Sequence, residues 1–570
     1  MKKFILAIVP LLLICASCSD QYMRDLNSDK SKATSMDPNA LLTTALLETY
    51  GDFNLMDTYR SYITGFTQYF AGGWNVSNYA GSVLADNNQS RLLWDEYYNV
   101  GIKNLVDGIA NTADRPNLNA VLRIHWVYMM SVLTDTYGDV PGTEAGKGYT
   151  HGISNPKYDT QKDLYDYFFT ELAACYAQLD KDADHLTGDV TGFSGNAAQW
   201  KKYANSLRMR YAMRISDVDP QKAKEEFEAA YATGEYLSSL EDDAYIKYID
   251  APFTLYDGAR DLDFRVNAYS EVLYGQDKTS PTLVCATLYN QLSSTNDPRL
   301  YRICRHYNFA LRNDNEYDVA GIPDFTEEVA AWEVASGLGP HPCHVGQAWY
   351  SGSAWVSCPS LDQLPEFQKL AATDDRYTGD NHHNRMVRPF LSLDLMKPTA
   401  PGILMTYAEQ EFLLAEAKDK GWNVDGTVAS HYEAGVKASM QLLNKYYLAD
   451  ERQIGEAEMD AFLAANPLGA NARESINTQA WILHLTNPSE GWANLRRADY
   501  PVLEDRKKIT DTGFPDGDKD MSTPVRLKYP SLEEKYNKEN YQAAINRAPL
   551  NGTDNWHTRV WWDVNEGRFE

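Results

Sequence analysis

The chain has little cysteine, no excess of positive charge and no second long apolar run, and each shortage closes off a class of function. Phe4–Ile14 falls short of the ~18 consecutive apolar residues of a membrane-spanning helix, and no later segment approaches that length. Seven cysteines in 570 residues are too few for a disulfide-built scaffold. After Cys15 and Cys18 they are Cys175, Cys285, Cys304, Cys343 and Cys358, which leaves open one or two bridges among the last four. Lys and Arg number 53 against 79 Asp and Glu, a net charge of -26. Nucleic acid, an anionic membrane surface or any other polyanion would be repelled. No Gly-rich phosphate loop, nucleophile elbow or HExxH stretch is present. Carboxylates abound, but no spacing in the sequence singles out a pair as the acid and nucleophile of a glycosidase.

The N-terminus carries the most specific signal. Met1, Lys2 and Lys3 precede the apolar run, and Cys15-Ala16-Ser17 stands immediately before Cys18. A basic start, a short apolar core and small residues at a cleavage point describe a secretory signal peptide. Small residues followed at once by cysteine resemble a bacterial lipobox, so residues 1–17 are expected to be removed and Cys18 acylated. Residues 18–36 are polar, with Asp20, Asp25 and Asp29, and are read as a flexible tether. Ser19-Asp20 resembles an acidic export signal for the outer leaflet. The expected location is the outer membrane, held by lipid, with the body facing the cell exterior.

Helix signals dominate residues 37–237 and 400–450. Asp37-Pro38 supplies a cap and a first-turn proline for a helix expected to run to the Phe66 region. Ala120 to Leu133 is apolar nearly all round, as in a helix buried on most sides. Thr160-Gln161-Lys162-Asp163 resembles a capping box, followed by Leu164, Phe168, Leu172, Cys175 and Leu179 on one face. Trp200 to Ile215, Asp219 to Thr233, Leu404 to Lys420 and Val428 to Tyr447 read as further amphipathic helices. Pairs of such helices with short turns form a repeat scaffold, because one pair alone cannot cover its apolar face. No clean 34-residue period is visible, so the repeats are degenerate.

Tyr (38) and Trp (13) outweigh Phe (18), and their flat rings with polar edges suit both helix packing and platforms for sugars or peptides. Residues 238–399 and 451–570 read as irregular. Gly337-Leu338-Gly339-Pro340-His341-Pro342 and Trp349-Tyr350-Ser351-Gly352-Ser353-Ala354-Trp355 show the texture of binding loops on a rigid frame. Arg208, Arg210, Arg496, Arg497, Arg526 and Arg559 stand beside Tyr, Trp and Asp, where a guanidinium can stack and bind a carboxylate. A structural role is expected for them.

Several stretches together carry a family likeness: Thr134-Asp135-Thr136-Tyr137-Gly138-Asp139-Val140-Pro141, Trp200-Lys201-Lys202-Tyr203-Ala204-Asn205-Ser206-Leu207-Arg208, and Asn296-Asp297-Pro298-Arg299. They continue with Tyr407-Ala408-Glu409-Gln410-Glu411-Phe412, Gly491-Trp492-Ala493-Asn494-Leu495-Arg496-Arg497, Pro524-Val525-Arg526-Leu527-Lys528-Tyr529-Pro530 and Arg559-Val560-Trp561-Trp562-Asp563. In this order they resemble the SusD/RagB family of Bacteroidetes outer-membrane nutrient-binding lipoproteins, the starch utilization system type. The resemblance implies a mostly α-helical single domain over residues 37–570 with four tetratricopeptide-like helix pairs and an irregular ligand region. It also implies a SusC-like TonB-dependent transporter as partner, over which the lipoprotein sits as a lid.

The expected function is binding, not catalysis: capture of an oligomeric nutrient, oligosaccharide in first place, for delivery to that transporter. A RagB-like peptide binder is the alternative of the same type, and a surface glycoside hydrolase or a structural adaptor the alternatives of other types. In the resembled family, ligands meet an aromatic platform on loops. The matching candidates are Trp74 and Tyr79 with Asn75 and Asn78, and Trp349, Tyr350 and Trp355. The rival reading is that these rings anchor their own loops. No cofactor is expected. Asp516, Asp518 and Asp520 alternate like the start of a calcium loop, but Met521 stands where its glycine belongs, so a solvated acidic loop is favoured. His341-Pro342-Cys343-His344 and His382-His383 lack the usual spacing of zinc ligands.

Overall fold

The computed structural model describes residues 36–71, 76–251, 263–274, 282–307, 322, 324–336, 342–345, 388–505 and 522–564. Cys18, Cys358, Asp516, Asp518 and Asp520 lie outside them.

The body is built from packed helix pairs. Pro38–Gly51 packs on Lys103–Ala110, Pro116–Tyr137 on Gln161–Gln178, Ala197–Arg214 on Pro220–Tyr231, and Tyr407–Asp419 on Val428–Tyr446. The second and third pairs join where Gln161–Gln178 meets Ala197–Arg214. Local chemistry sets their starts. The Asp37 side chain accepts the Asn39 N–H with Pro38 in the first turn, and Thr160 accepts the Asp163 N–H. Thr427 and Ser430 close a reciprocal capping box ahead of Val428–Tyr446. The Ala120–Leu133 stretch lies within a helix that is buried along nearly its whole length.

Some boundaries differ from the sequence expectation, for local reasons. The first helix stops at Gly51 instead of running to Phe66. A Cβ on Gly51 would fall 2.1 Å from the Phe264 carbonyl oxygen, so the close approach of that segment requires glycine. Asp52 then caps a new helix, its carboxylate accepting the Leu55 N–H at 2.8 Å, and the chain continues through wider π-type turns at Tyr59–Ile63. Leu404, expected to open a helix, belongs to a strand, Gly402–Met405, paired with Ala244–Ile246, and Thr406 caps the helix behind it. Residues 451–570, expected to be irregular, contain the helices Glu456–Ala465, Ala472–Leu483 and Pro488–Ala498. Cys175, Cys285, Cys304 and Cys343 are buried free thiols, so no bridge joins any two of them.

The arginines take the structural role expected of them. Arg210 donates to both oxygens of Glu409 at 2.5 and 2.7 Å, and Arg497 to both oxygens of Glu416 at 2.6 and 2.7 Å. Arg214 grips Glu490 at 2.6 Å. The Arg496 guanidinium lies 3.9 Å over the Trp492 ring and donates to the carbonyls of Val525 and Asp135. Arg526 stacks on Tyr529 and pairs with Asp554 at 2.5 Å. Fully buried ions of this kind are tolerated because each guanidinium finds a matched carboxylate or carbonyl. Burial pushes the Glu416 carboxyl up, but the Arg497 charge and hydrogen bonds outweigh it and leave it below its ordinary value.

Removing one partner of such a pair strands the other charge in the core. Glu416→Ala is expected to lower unfolding free energy by about 3–5 kcal/mol in urea titration, and Glu416→Leu with Arg497→Met to recover most of it. Equal stability of Glu416→Ala and the parent would show that the pair carries no such strain.

Candidate functional site

Four strands of two residues each form one small sheet in the order Phe70–Ala71, Leu283–Val284, Phe390–Leu391, Cys304–Arg305. Phe70 pairs with Val284, Leu283 with Phe390, and Cys304 with Leu391, all antiparallel. Cys285 adds a parallel bridge to Cys343, with the Ala286 N–H donating to the Cys343 carbonyl at 2.7 Å. Strands this short have few ladder bonds of their own. They persist because apolar residues on them, such as Phe70, Val284 and Phe390, are fully buried against the helical body.

The sheet gathers the described ends of the segments that hold the candidate residues. Trp74 and Asn75 fall in the sequence between Ala71 and Val76, and Trp349, Tyr350 and Trp355 between Val345 and Arg388. These five lie outside the described residues. Their flanks meet at Gly65. A Cβ there would sit 3.1 Å from Val76 Cγ1, 3.4 Å from Val345 Cγ2 and 2.4 Å from the Ala80 Cβ. The missing side chain lets the two flanks share one packing site.

A polar link fixes the same corner. Gln68, in the left-handed region at φ 55°, donates through Nε2 to the Glu504 carbonyl at 2.9 Å and accepts the Glu504 N–H at 3.2 Å. The Glu504 carboxylate lies 2.6 Å from His344 Nδ1. The hydrogen bond to Glu504 raises the His344 imidazole above its ordinary 6.5, against the opposing effect of burial. Of the residues considered for zinc, His344 is thus held by Glu504, and Cys343 receives an Arg388 N–H on its sulfur.

Asn78 and Tyr79 are described. Asn78 is 9% exposed and presents little surface to a ligand. Tyr79 is half-buried, its ring 5.7 Å from that of Tyr62, which in turn meets Trp556 edge-on at 5.2 Å. The ring contact of Tyr79 ties the segment Val76–Gly81 to the core and leaves part of the residue exposed.

Sequence reasoning missed the Gln68–Glu504–His344 link, whose members stand 160 or more residues apart. It also missed a buried cluster of Glu409, His484 and Glu490, whose ligand-type atoms lie within 4.8 Å of one another. Arg210 and Arg214 already neutralise its two carboxylates. Burial raises the Glu409 carboxyl, yet Arg210 and then His484 bring it down to about 2. A divalent cation here would add two charges to a balanced group, so the cluster is a salt-bridge node of the core.

The family model SusD-like_2, described as starch-binding and associating with the outer membrane, matches residues 30–337 and 368–530. The chain belongs to this family. A solved structure described as Bacteroidetes AC2a SusD-like is 38% identical to this SusD-like chain, with a TM-score of 0.81 over 93% of this chain and 100% of the other. A chitin-binding protein is 29% identical, with a TM-score of 0.71 over 93% of this chain and 100% of its own. A chitin-binding SusD homolog from Flavobacterium johnsoniae shares the fold at 20% identity and a TM-score of 0.66, covering 94% of this chain and 100% of its own. Among curated proteins none matches the chain.

Two outcomes test this corner of the SusD-like chain. Gly65→Ala is expected to cost about 1–3 kcal/mol in urea titration, because the added methyl overlaps Ala80 and crowds Val76 and Val345. An unchanged midpoint would mean that these flanks yield freely. The His344–Glu504 pair stabilises the fold below pH 6.5, and that contribution is lost as pH rises through the elevated imidazole value. Glu504→Gln should move the His344 titration, followed by NMR, to lower pH. A titration that does not move would remove the pair from the account.

Proposed function

We propose that this SusD-like chain is a lipid-anchored protein of the outer membrane that captures an oligosaccharide outside the cell. It passes the ligand, unaltered, to a SusC-like TonB-dependent transporter. The observation that carries this reading is the family match, starch-binding and outer-membrane-associated by description, over most of the chain. The 29%-identical chitin-binding protein, aligned over 93% of this chain, supports a glycan ligand. The architecture agrees: a helical frame braced by buried ion pairs offers a fixed base, and the small sheet brings the flanks of both aromatic segments to that base. Rings on such loops can lie against the apolar face of a sugar while amides bind its hydroxyls. Cys18, acylated, and the tether 18–36 would hold the body near the membrane while leaving it free to turn over a barrel.

Migration through native gels containing chitin or starch, with a reducing-end assay on the same mixtures, tests the reading. The protein should be retarded and release no reducing ends. Trp74→Ala should weaken the binding by ~1–3 kcal/mol in calorimetry with an unchanged melting temperature. Release of reducing ends would make the chain a glycosidase, and affinity for peptides with none for glycans would make it a RagB-like peptide binder.

A further inference from the structure

A cleft of about 220 Å³ opens beside the C-terminal segments, lined by Ala85, Asn87 and Ser90 from one stretch, Lys528 to Tyr541 from a second, and Asp554 and Trp556 from a third. The last two stretches stand far from the first in sequence, and hydrogen bonds hold the walls together. The Ser531 N–H donates to Asn87 Oδ1 at 2.8 Å, and the Tyr529 N–H to Asp554 Oδ2 at 3.0 Å. Asp554 is further fixed by Arg526.

The lining is aromatic below and polar above. Tyr529 and Trp556 are 5% and 4% exposed. Tyr541, half-buried, meets Tyr529 edge-on at 6.0 Å, and its hydroxyl bonds no described residue. Burial pushes that hydroxyl up to about 12, so it stays a donor at neutral pH. Lys528 and Glu534 are exposed and form no ion pair with any described residue. The Trp556 indole N–H is buried with no acceptor, an arrangement that native cores rarely leave unexplained.

We propose that this cleft is a second saccharide subsite, which takes one sugar ring of the glycan. The inference rests on the reading of the chain as a glycan binder. The chemistry of the lining selects the ligand class. One free ammonium and one free carboxylate cancel, so neither an anion nor a cation is favoured. Hydroxyls of Ser90, Ser531 and Tyr541, each both donor and acceptor, match a neutral polyol. The space is smaller than the ~300 Å³ at which pockets for larger ligands begin, which suits a single ring. Through Trp556 and Tyr62 the cleft floor touches Tyr79, the described end of the candidate loop, so both subsites share one packed aromatic support.

The test uses the full chain labelled with 5-fluorotryptophan, titrated with the hexasaccharides of chitin and of starch, with Trp556→Phe to assign its ¹⁹F signal. The Trp556 signal should move with saturation. Tyr541→Ala combined with Glu534→Gln should abolish that movement and weaken the hexasaccharide about tenfold, with the melting temperature held. Glu534→Gln alone, at an exposed position, serves should the double variant misfold, and should itself weaken binding measurably. Hexasaccharide binding with a motionless Trp556 signal and undiminished affinity in the variants would overturn the subsite and leave the glycan reading standing. Absence of binding by either hexasaccharide would overturn both.

Discussion

Buried arginine–glutamate pairing is the constraint on which the rest of this structure depends. The helix Tyr407–Asp419 follows the first three helix pairs only after the long stretch from Ser238 to Pro398, and two of its glutamates tie it back. Glu409 is held by Arg210 of Ala197–Arg214, and Glu416 by Arg497 of Pro488–Ala498. Apolar contact would bring these helices together without fixing their register. A bidentate fork with a carboxylate allows one register, because any slide leaves a charge unpaired in a dry interior. The fourth pair is thus keyed to the third, and the helix Pro488–Ala498 to the fourth.

That closure explains how so long a middle region can be placed at all. The segment from Ser238 to Pro398 leaves the scaffold beside Ala244–Ile246 and returns beside Gly402–Met405, and these two strands pair with each other. With both ends fixed, the entropy of closing the loop is already spent at the scaffold. The sheet around Phe70, Leu283, Cys304 and Phe390 can then form from two-residue strands. Gly65 and the Gln68–Glu504–His344 link bring the first helical region and the insertion to the same spot.

The helices of the scaffold were legible in the sequence because their signals are local. Asp37-Pro38, Thr160 and Asp219-Pro220 mark starts through caps that bind the backbone two or three residues on. The arginines were legible as structural because their neighbours along the chain are aromatic and acidic. What the sequence hides is distance: Arg210 and Glu409 are 199 residues apart, and His344 and Glu504 are 160 apart. The need for glycine at 51 comes from the approach of Phe264, a contact that no helix periodicity encodes. The helices between Glu456 and Ala498 are hard to see in the sequence because their polar faces and Asn- and Gly-containing joints read as loop. Of the proposed platform, Asn78 is nearly buried and Tyr79 half-buried, and aromatic and amide side chains look the same in sequence whether they face a ligand or a core.

Charge gives the last step. The chain carries -26 overall, while Arg210, Arg214 and Arg497 spend their charge on buried carboxylates. The excess acid therefore sits at the surface, where it sets a long-range field. A neutral saccharide gains nothing from that field, so its recognition has to come from contact, from ring faces and hydroxyl partners within the first layer. A cationic peptide, by contrast, would be drawn by the field and released by salt. On the glycan reading proposed above, binding therefore rests on contact with ring faces and hydroxyl partners, and it is insensitive to salt where that of a cationic peptide would not be.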